Sequence, residues 1–259
     1  MFLKADNLIW NVWSIALNII AIIISFTMLP PGKTRMIVMG IFLITLVILI
    51  CYTATQKLKN IGIWYIVRRK FGIRGIYDSG VARDMEMKNH ILKAHELKIM
   101  AISASNFIYR YQNEMVDALI NNNCVIKVLL AEEDSTFTKE IEKAEGSEVD
   151  ISEEIKRAKR LLKEIIRNAE NKARKSKREL EGSIFLEQFD TLFRAAFVIC
   201  DDSWGWCSLN FPPIRSRDSI SLELQSTDSS GRGLLELLKE HFDRVWDIYR
   251  DRRKKILPD

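Results

Sequence analysis

Residues 95 to 132 read HELKIMAISASNFIYRYQNEMVDALINNNCVIKVLLAE, and two runs within them decide the fold class. LKIMAIS, residues 97 to 103, is a continuous run of strand length, the pattern of a strand buried on both faces. NFIYRYQNEMVDALINN then sets Ile108, Met115 and Leu119 at helical spacing, and NNN stops the helix. CVIKVLLAE, residues 124 to 132, is a second buried strand. Strand, helix and strand within about 35 residues make a βαβ unit with parallel strands.

Outward from this unit the α/β pattern continues. MEMKNHILKAHE before it reads as a short helix. After it, residues 150 to 181 read as one long helix, with Asp150 and Glu153 spaced as a capping box. Ile151, Ile155, Leu162, Ile165, Ala169 and Ala173 form its apolar stripe. Lysines and arginines dominate the opposite side, but interleaved glutamates dilute them, so this side reads as a solvated face before a phosphate-binding surface. Strands follow at 184 to 189, 193 to 200, 205 to 211 and 219 to 225, with DDSW as the turn between the second and third. GLLELLKEHFDRVWDIYRDRRKK closes the chain as a core-packing helix. There is no internal repeat and no Gly-rich phosphate loop.

The N-terminal part has another character. Residues 8 to 29 and 36 to 54 are two apolar runs without a charge, each near the ~20 residues that cross a bilayer. PPGKTR between them is short and helix-breaking, so the pair reads as a transmembrane hairpin. Lys33 and Arg35 lie in that loop, against Lys57, Lys59, Arg68, Arg69, Lys70 and Arg74 after the second run. The excess expects both the N-terminus and the large C-terminal part in the cytoplasm. The formal net charge of +5 favours topology and headgroup contact over nucleic acid as the role of those six. The run IGIWYIVRRKFGI lies in the membrane interface or extends the second span. The expected organisation is a hairpin over 1–56, a juxtamembrane linker over 57–85 and an α/β domain over 86–259. The cysteines show no C-x-x-C pair and no zinc spacing, so neither metal nor disulfide is expected. Cys124, Cys200 and Cys207 read as buried thiols in a reducing compartment.

One stretch bears on chemistry: RAAFVICDDSWGWCSLNF, residues 194 to 211. Its spacing resembles the signature of the phospholipase D superfamily, H-x-K-x-x-x-x-D followed by G-S-x-N. Asp201, Ser208 and Asn210 fall on the Asp, Ser and Asn, while Arg194 stands at the histidine and Ala196 at the lysine. With the βαβ unit ahead of it, the region from about 86 to 250 resembles a single phospholipase D-like lobe with a mixed sheet. The resemblance implies a site made from two lobes, hence a homo-oligomer. It also implies an imidazole nucleophile that forms a phosphohistidine. A guanidinium stays protonated and cannot play that part, and Ala196 removes the cation that would stabilise the transition state. His90 with Lys93, spaced H-x-x-K, reads as surface on the first helix, and His95 and His241 have no partner set around them. No enzymatic activity, metal or cofactor is therefore expected. Arg194, Asp201, Ser208 and Asn210 would instead bind a phosphate-type ligand; the other reading pairs Arg194 with Asp201 or Asp202.

Two spans joined to such a lobe resemble the membrane effectors of bacterial anti-phage systems that accompany retrons or nucleotide-signalling enzymes. The resemblance implies a multi-pass inner-membrane protein acting in abortive infection. Its soluble lobe would sense a neighbouring partner complex or a nucleotide- or nucleic-acid-derived trigger, and the hairpin would disrupt the bilayer. An active membrane-bound phosphodiesterase or nuclease, and a passive scaffold for a partner enzyme, are the alternatives.

Overall fold

The computed structural model describes residues 65–77, 84–145, 150–190, 195–209, 220–227, 233–249 and 254–256. The chain divides into two compact units, Met1–Ile66 and Val67–Asp259. The expected hairpin over 1–56 lies outside the described residues; among those that are described, no helix is long and apolar enough to cross a membrane.

Among the described residues, the second unit is built on an eight-stranded mixed sheet. Its elements are helix α1 (residues 65–71), β1 (Ile73–Tyr77), α2 (Asp84–Lys93), β2 (Glu96–Ala101), α3 (Ser105–Arg110), α4 (Gln112–Asn121), β3 (Val125–Ala131), α5 (Thr136–Glu145), α6 (Ile151–Lys175), β4 (Ser183–Phe189), β5 (Ala195–Cys200), β6 (Trp204–Leu209), β7 (Ser221–Gln225), α7 (Leu234–Ile248) and β8 (Lys254–Lys255). The strand order is β1-β7-β6-β5-β2-β3-β4-β8. The βαβ expectation holds: β2 and β3 are parallel, Leu97 opposite Ile126, and β4 continues the parallel set, Ile126 opposite Ile184. β5 joins β2 antiparallel, Leu97 opposite Cys200, and begins an antiparallel series through β6, β7 and β1.

Side-chain alternation sorts the sheet into two faces. Leu97 and Ile99 face the same way as Val198, Trp204, Trp206, Ser208 and Glu223, and α2 lies over them with His90 stacked on Trp204. α6 covers this face further along, where Lys159 donates to Gln188 of β4 at 3.0 Å. The other face carries Lys98, Phe197 and Gly205, and α7 packs there, Phe242 edge-on to Phe197 with centroids 6.3 Å apart. A side chain at Gly205 would strike Leu235 of α7, so glycine there lets the helix approach the sheet.

The long helix follows its pattern. Ile155, Leu162 and Ala169 are wholly buried, and Asp150 Oδ1 accepts the Glu153 amide at 2.7 Å. Only half of the capping box forms, because Glu153 Oε1 takes Arg160 at 2.7 Å. The helix stops at Lys175, short of the expected 181.

Three expectations are corrected. Residues 73 to 77, inside the supposed linker, are the edge strand β1, whose pairing with β7 lies some 150 residues away in sequence. The helix read through 106–122 is two, α3 and α4, broken at Tyr111, whose backbone leaves helical geometry at φ −109°. Its ring is 3 % exposed and its hydroxyl bonds Asp84, so burial of a large side chain outweighs helix continuity. The closing helix ends at Ile248, and Lys254 and Lys255 pair antiparallel with Leu186 and Phe185. The strand read from 193 is described from Ala195 on, and residues 191–194 lie outside the described residues.

Leu162→Ala, emptying a fully buried position on α6, should cost about 2–5 kcal/mol of unfolding free energy. Arg160→Ala, whose ion pair with Glu153 is exposed on both sides, should stay within about 0.5 kcal/mol. Denaturation followed by tryptophan fluorescence compares the two.

Candidate functional site

The β5–β6 hairpin carries the quoted motif, and its register places each residue. Ala196 lies opposite Ser208, and the turn runs from Asp201 to Ser203 between Cys200 and Trp204. Asp201 and Asp202 both adopt positive φ, 49° and 55°, a conformation that Asp tolerates better than most residues. Asp201 Oδ1 accepts the amides of His95 at 2.7 Å and Glu96 at 2.8 Å, and the Asp201 amide donates to Glu96 O at 3.0 Å. Asp201 is thus a clamp between the hairpin turn and the start of β2.

Ser208 sits at the other end of the hairpin. It is five strand positions from Asp201's level, or roughly 16 Å at ~3.3 Å per residue. Of the four predicted site residues, Asp201 and Ser208 are therefore apart, and Arg194 and Asn210 lie outside the described residues. Asp202 is paired too, with Lys98 at 3.2 Å and with Lys239.

Around Ser208 the structure assembles residues that the sequence reading did not single out. Ser208 Oγ is 2.8 Å from Ser221 Oγ, both buried, and Tyr77 stands opposite Ser221 on the next strand. One row further in lies Glu223, 1 % exposed. It accepts from the Tyr77 hydroxyl at 2.9 Å and from Trp204 Nε1 at 3.3 Å, and pairs with Arg74 Nε at 3.4 Å. Tyr77 stacks on Trp206 with centroids 5.1 Å apart, and His90 on Trp204 at 4.2 Å. A buried carboxylate needs such donors, since an unpaired one is costly in a low-dielectric interior. One signal was present in the sequence: a glutamate between two leucines in the strand read at 219 to 225.

All three histidines of the chain are in view, and none adjoins Ser208. Trp204, under His90, is four positions along β6, about 13 Å away. Burial lowers the His90 pKa, with Glu223 opposing and Arg74 reinforcing the shift. The His95 ring lies 3.1 Å from Asn122 O, at the Asp201 end of β2. His241 is on α7, across the sheet, its pKa lowered by burial and by Arg244. The thiols of Cys124, Cys200 and Cys207 are buried. Burial pushes Cys124 and Cys207 up to about 12 and holds Cys200 well above the thiol range, so all three stay protonated and are poor nucleophiles. Among the described residues no group of three or more His, Cys, Asp or Glu could hold a metal ion.

A second charged group lies on the α7 face. Lys98, 3 % exposed, reaches Asp243 at 3.0 Å, Asp202 at 3.2 Å and Glu96 at 3.4 Å. Burial alone would lower its pKa, but the Asp243 hydrogen bond and the three carboxylate charges outweigh that and raise it. Lys98 remains a cation and ties α7 to the turn and to β2.

No family model matches this chain, and no curated protein matches it. Among solved structures it is similar to TrmBL2, an archaeal chromatin protein described as showing a novel mode of DNA binding. That likeness has 15 % identity over 85 % of this chain and 71 % of the other, with a TM-score of 0.36. It is also similar to Nuc from Salmonella typhimurium, a phospholipase D family member. There the identity is 12 % over 71 % of this chain and 96 % of the other, with a TM-score of 0.40.

The lowered His90 pKa has a definite sign. The folded state favours the neutral ring, so the contribution is complete above the ordinary value of 6.5 and is lost as pH falls through the folded pKa. Stability should therefore decline on acidification below about pH 6.5. His90→Phe, keeping a ring on Trp204, should remove part of that slope and leave the share of His241. Denaturation midpoints across pH 5 to 8 and histidine proton resonances check both points.

Proposed function

We propose that this protein is a membrane-anchored effector of a bacterial antiviral system whose α/β domain senses a trigger without hydrolysing it. The observation that supports a non-hydrolytic domain is the placement of the histidines. His90 is stacked on Trp204, His95 lies at the Asp201 end of β2 and His241 is on α7. Across from Ser208, where the resembled site would hold its phosphate-gripping lysine, stands Ala196. Without an imidazole beside that hydroxyl there is no group to form a phosphohistidine or to shuttle its proton.

The membrane half of the reading rests on sequence: two charge-free runs at 8–29 and 36–54, with basic residues concentrated after the second. In this mechanism the domain keeps the protein inactive, alone or with a neighbouring partner complex. Binding of a trigger then clusters the hairpins, and the clustered hairpins permeabilise the inner membrane of the infected cell. Self-association of the domain supplies the clustering, since a lobe of this kind is one half of a paired site.

Expression without restraint should depolarise the membrane before growth stops. Leu46→Arg, which puts a charge near the middle of the second apolar run at a cost of roughly 2.5–3.5 kcal/mol on insertion scales, should abolish toxicity. Potential-sensitive dye readings of the wild type, this variant and cells expressing residues 67–259 separate the readings. Toxicity of the fragment alone would point to an enzyme, and unchanged potential with the full chain to a scaffold. Light scattering of the detergent-solubilised full chain should show a dimer or larger; a strict monomer at micromolar concentration would refute the clustering step.

A further inference from the structure

α1, β1 and β7 meet at a basic cleft away from the Ser208 row. It encloses about 260 Å³ and is lined by Arg68, Arg69, Gly72, Arg74, Gln225, Ser226 and Thr227. The backbone builds it closely. Gly72 has φ +69° and donates its amide to Arg68 O at 3.1 Å, ending α1. The Gln225 amide donates to Gly72 O at 2.8 Å. A Cβ at Gly72 would lie 2.3 Å from Gln225 O and 3.0 Å from Thr227 Cγ2, so glycine alone lets the helix end and the strand end approach this closely. The far wall is held as well, with the Ser226 amide on Ser203 O at 3.1 Å and the Thr227 amide on Glu236 Oε1 at 3.0 Å.

The charge balance selects the ligand. Three arginines line one small space. Glu223 engages Arg74 through its Nε at 3.4 Å, and a guanidinium has further donors beyond that one. The carboxyl end of α1 also points here, worth about half a negative charge, and Glu236 stands behind Thr227, so the three arginines still outnumber the two carboxylates, Glu223 and Glu236, beside them. The volume is below the roughly 300–1,000 Å³ of pockets for drug-sized ligands. Planar forks with hydroxyl groups beside them suit tetrahedral oxyanions. The geometry points to a phosphate-binding site, formed by Arg68, Arg69 and Arg74 with Gln225, Ser226 and Thr227. It takes the phosphate of an anionic lipid headgroup or of a soluble phosphate compound. The site shares no residue with the motif-derived set Arg194, Asp201, Ser208 and Asn210 and does not rest on the effector reading, so toxicity and phosphate binding can fail separately.

The test uses the full chain in a neutral detergent, titrated calorimetrically with inorganic pyrophosphate, short-chain phosphatidylglycerol and short-chain phosphatidylcholine. Binding of either anionic probe and not of phosphatidylcholine is expected. Pyrophosphate alone identifies a soluble phosphate, and phosphatidylglycerol alone a headgroup. Arg68→Gln should weaken binding at least about tenfold, as loss of a charge-assisted hydrogen bond does. Arg68→Lys should fall between it and the wild type, since it keeps the charge and loses the fork. Arg167→Gln, an equal loss of charge on exposed α6, should leave affinity unchanged. The unfolding midpoint without ligand, matched to the wild type, confirms that the variants are folded. No binding of either anion, or equal weakening by Arg68→Gln and Arg167→Gln, would overturn the assignment.

Discussion

The amides of His95 and Glu96 donate to a single carboxylate oxygen of Asp201, at the joint where the two halves of the sheet meet. On one side are the parallel strands β2, β3 and β4, and on the other the antiparallel series β5, β6, β7 and β1. The joint is one strand pairing, β2 with β5, whose register is set at its end by this clamp and by the Asp201 amide on Glu96 O. Register matters here because a slip of one residue would turn Val198, Trp206 and Glu223 to the opposite face. Lys98 reinforces the joint from below, linking Glu96, Asp202 and Asp243 across β2, the turn and α7.

Once that register is set, the chemistry of the antiparallel half follows. Strand alternation places Ser208, Trp206, Glu223 and Tyr77 on one face, and α2 brings His90 over Trp204. Glu223 is the centre of the group because it is the buried acceptor, and Tyr77, Trp204 and Arg74 are its donors. Arg74 belongs to both this group and the arginine cleft, so a buried carboxylate and a surface anion site share one guanidinium. The Asp of the quoted motif is held in a structural role by backbone amides at one end of the hairpin. The Ser of the same motif lies in a hydroxyl row at the other end.

Periodicity made the parallel core legible. Runs at 97–103 and 124–132 and the stripe of Ile155, Leu162 and Ala169 bury most of what they contain, so apolar pattern and structure coincide. Asp150 as a cap was readable for the same local reason. β1 and β8 were not legible, since IRGIY is short and broken by Gly75 and Lys254–Lys255 lies in a run of charges. Their strand character comes from the hydrogen-bonding edges that β7 and β4 offer. The break at Tyr111 was likewise hidden, because only the tertiary fold buries that ring and presents Asp84 to its hydroxyl.

The sequence by itself determined the α/β class, the parallel unit, the long amphipathic helix and the two charge-free runs, because each is a matter of local spacing between apolar and polar residues. It also set Arg194 and Ala196 at the positions that the resembled motif gives to histidine and lysine. Only the tertiary structure decided that Asp201 clamps a strand while Ser208 pairs with Ser221, and that Arg68, Arg69 and Arg74 meet Gln225, Ser226 and Thr227 around one cleft. Those groupings join residues up to about 160 positions apart. They depend on strand register and on the close approach that Gly72 allows, which no local pattern encodes.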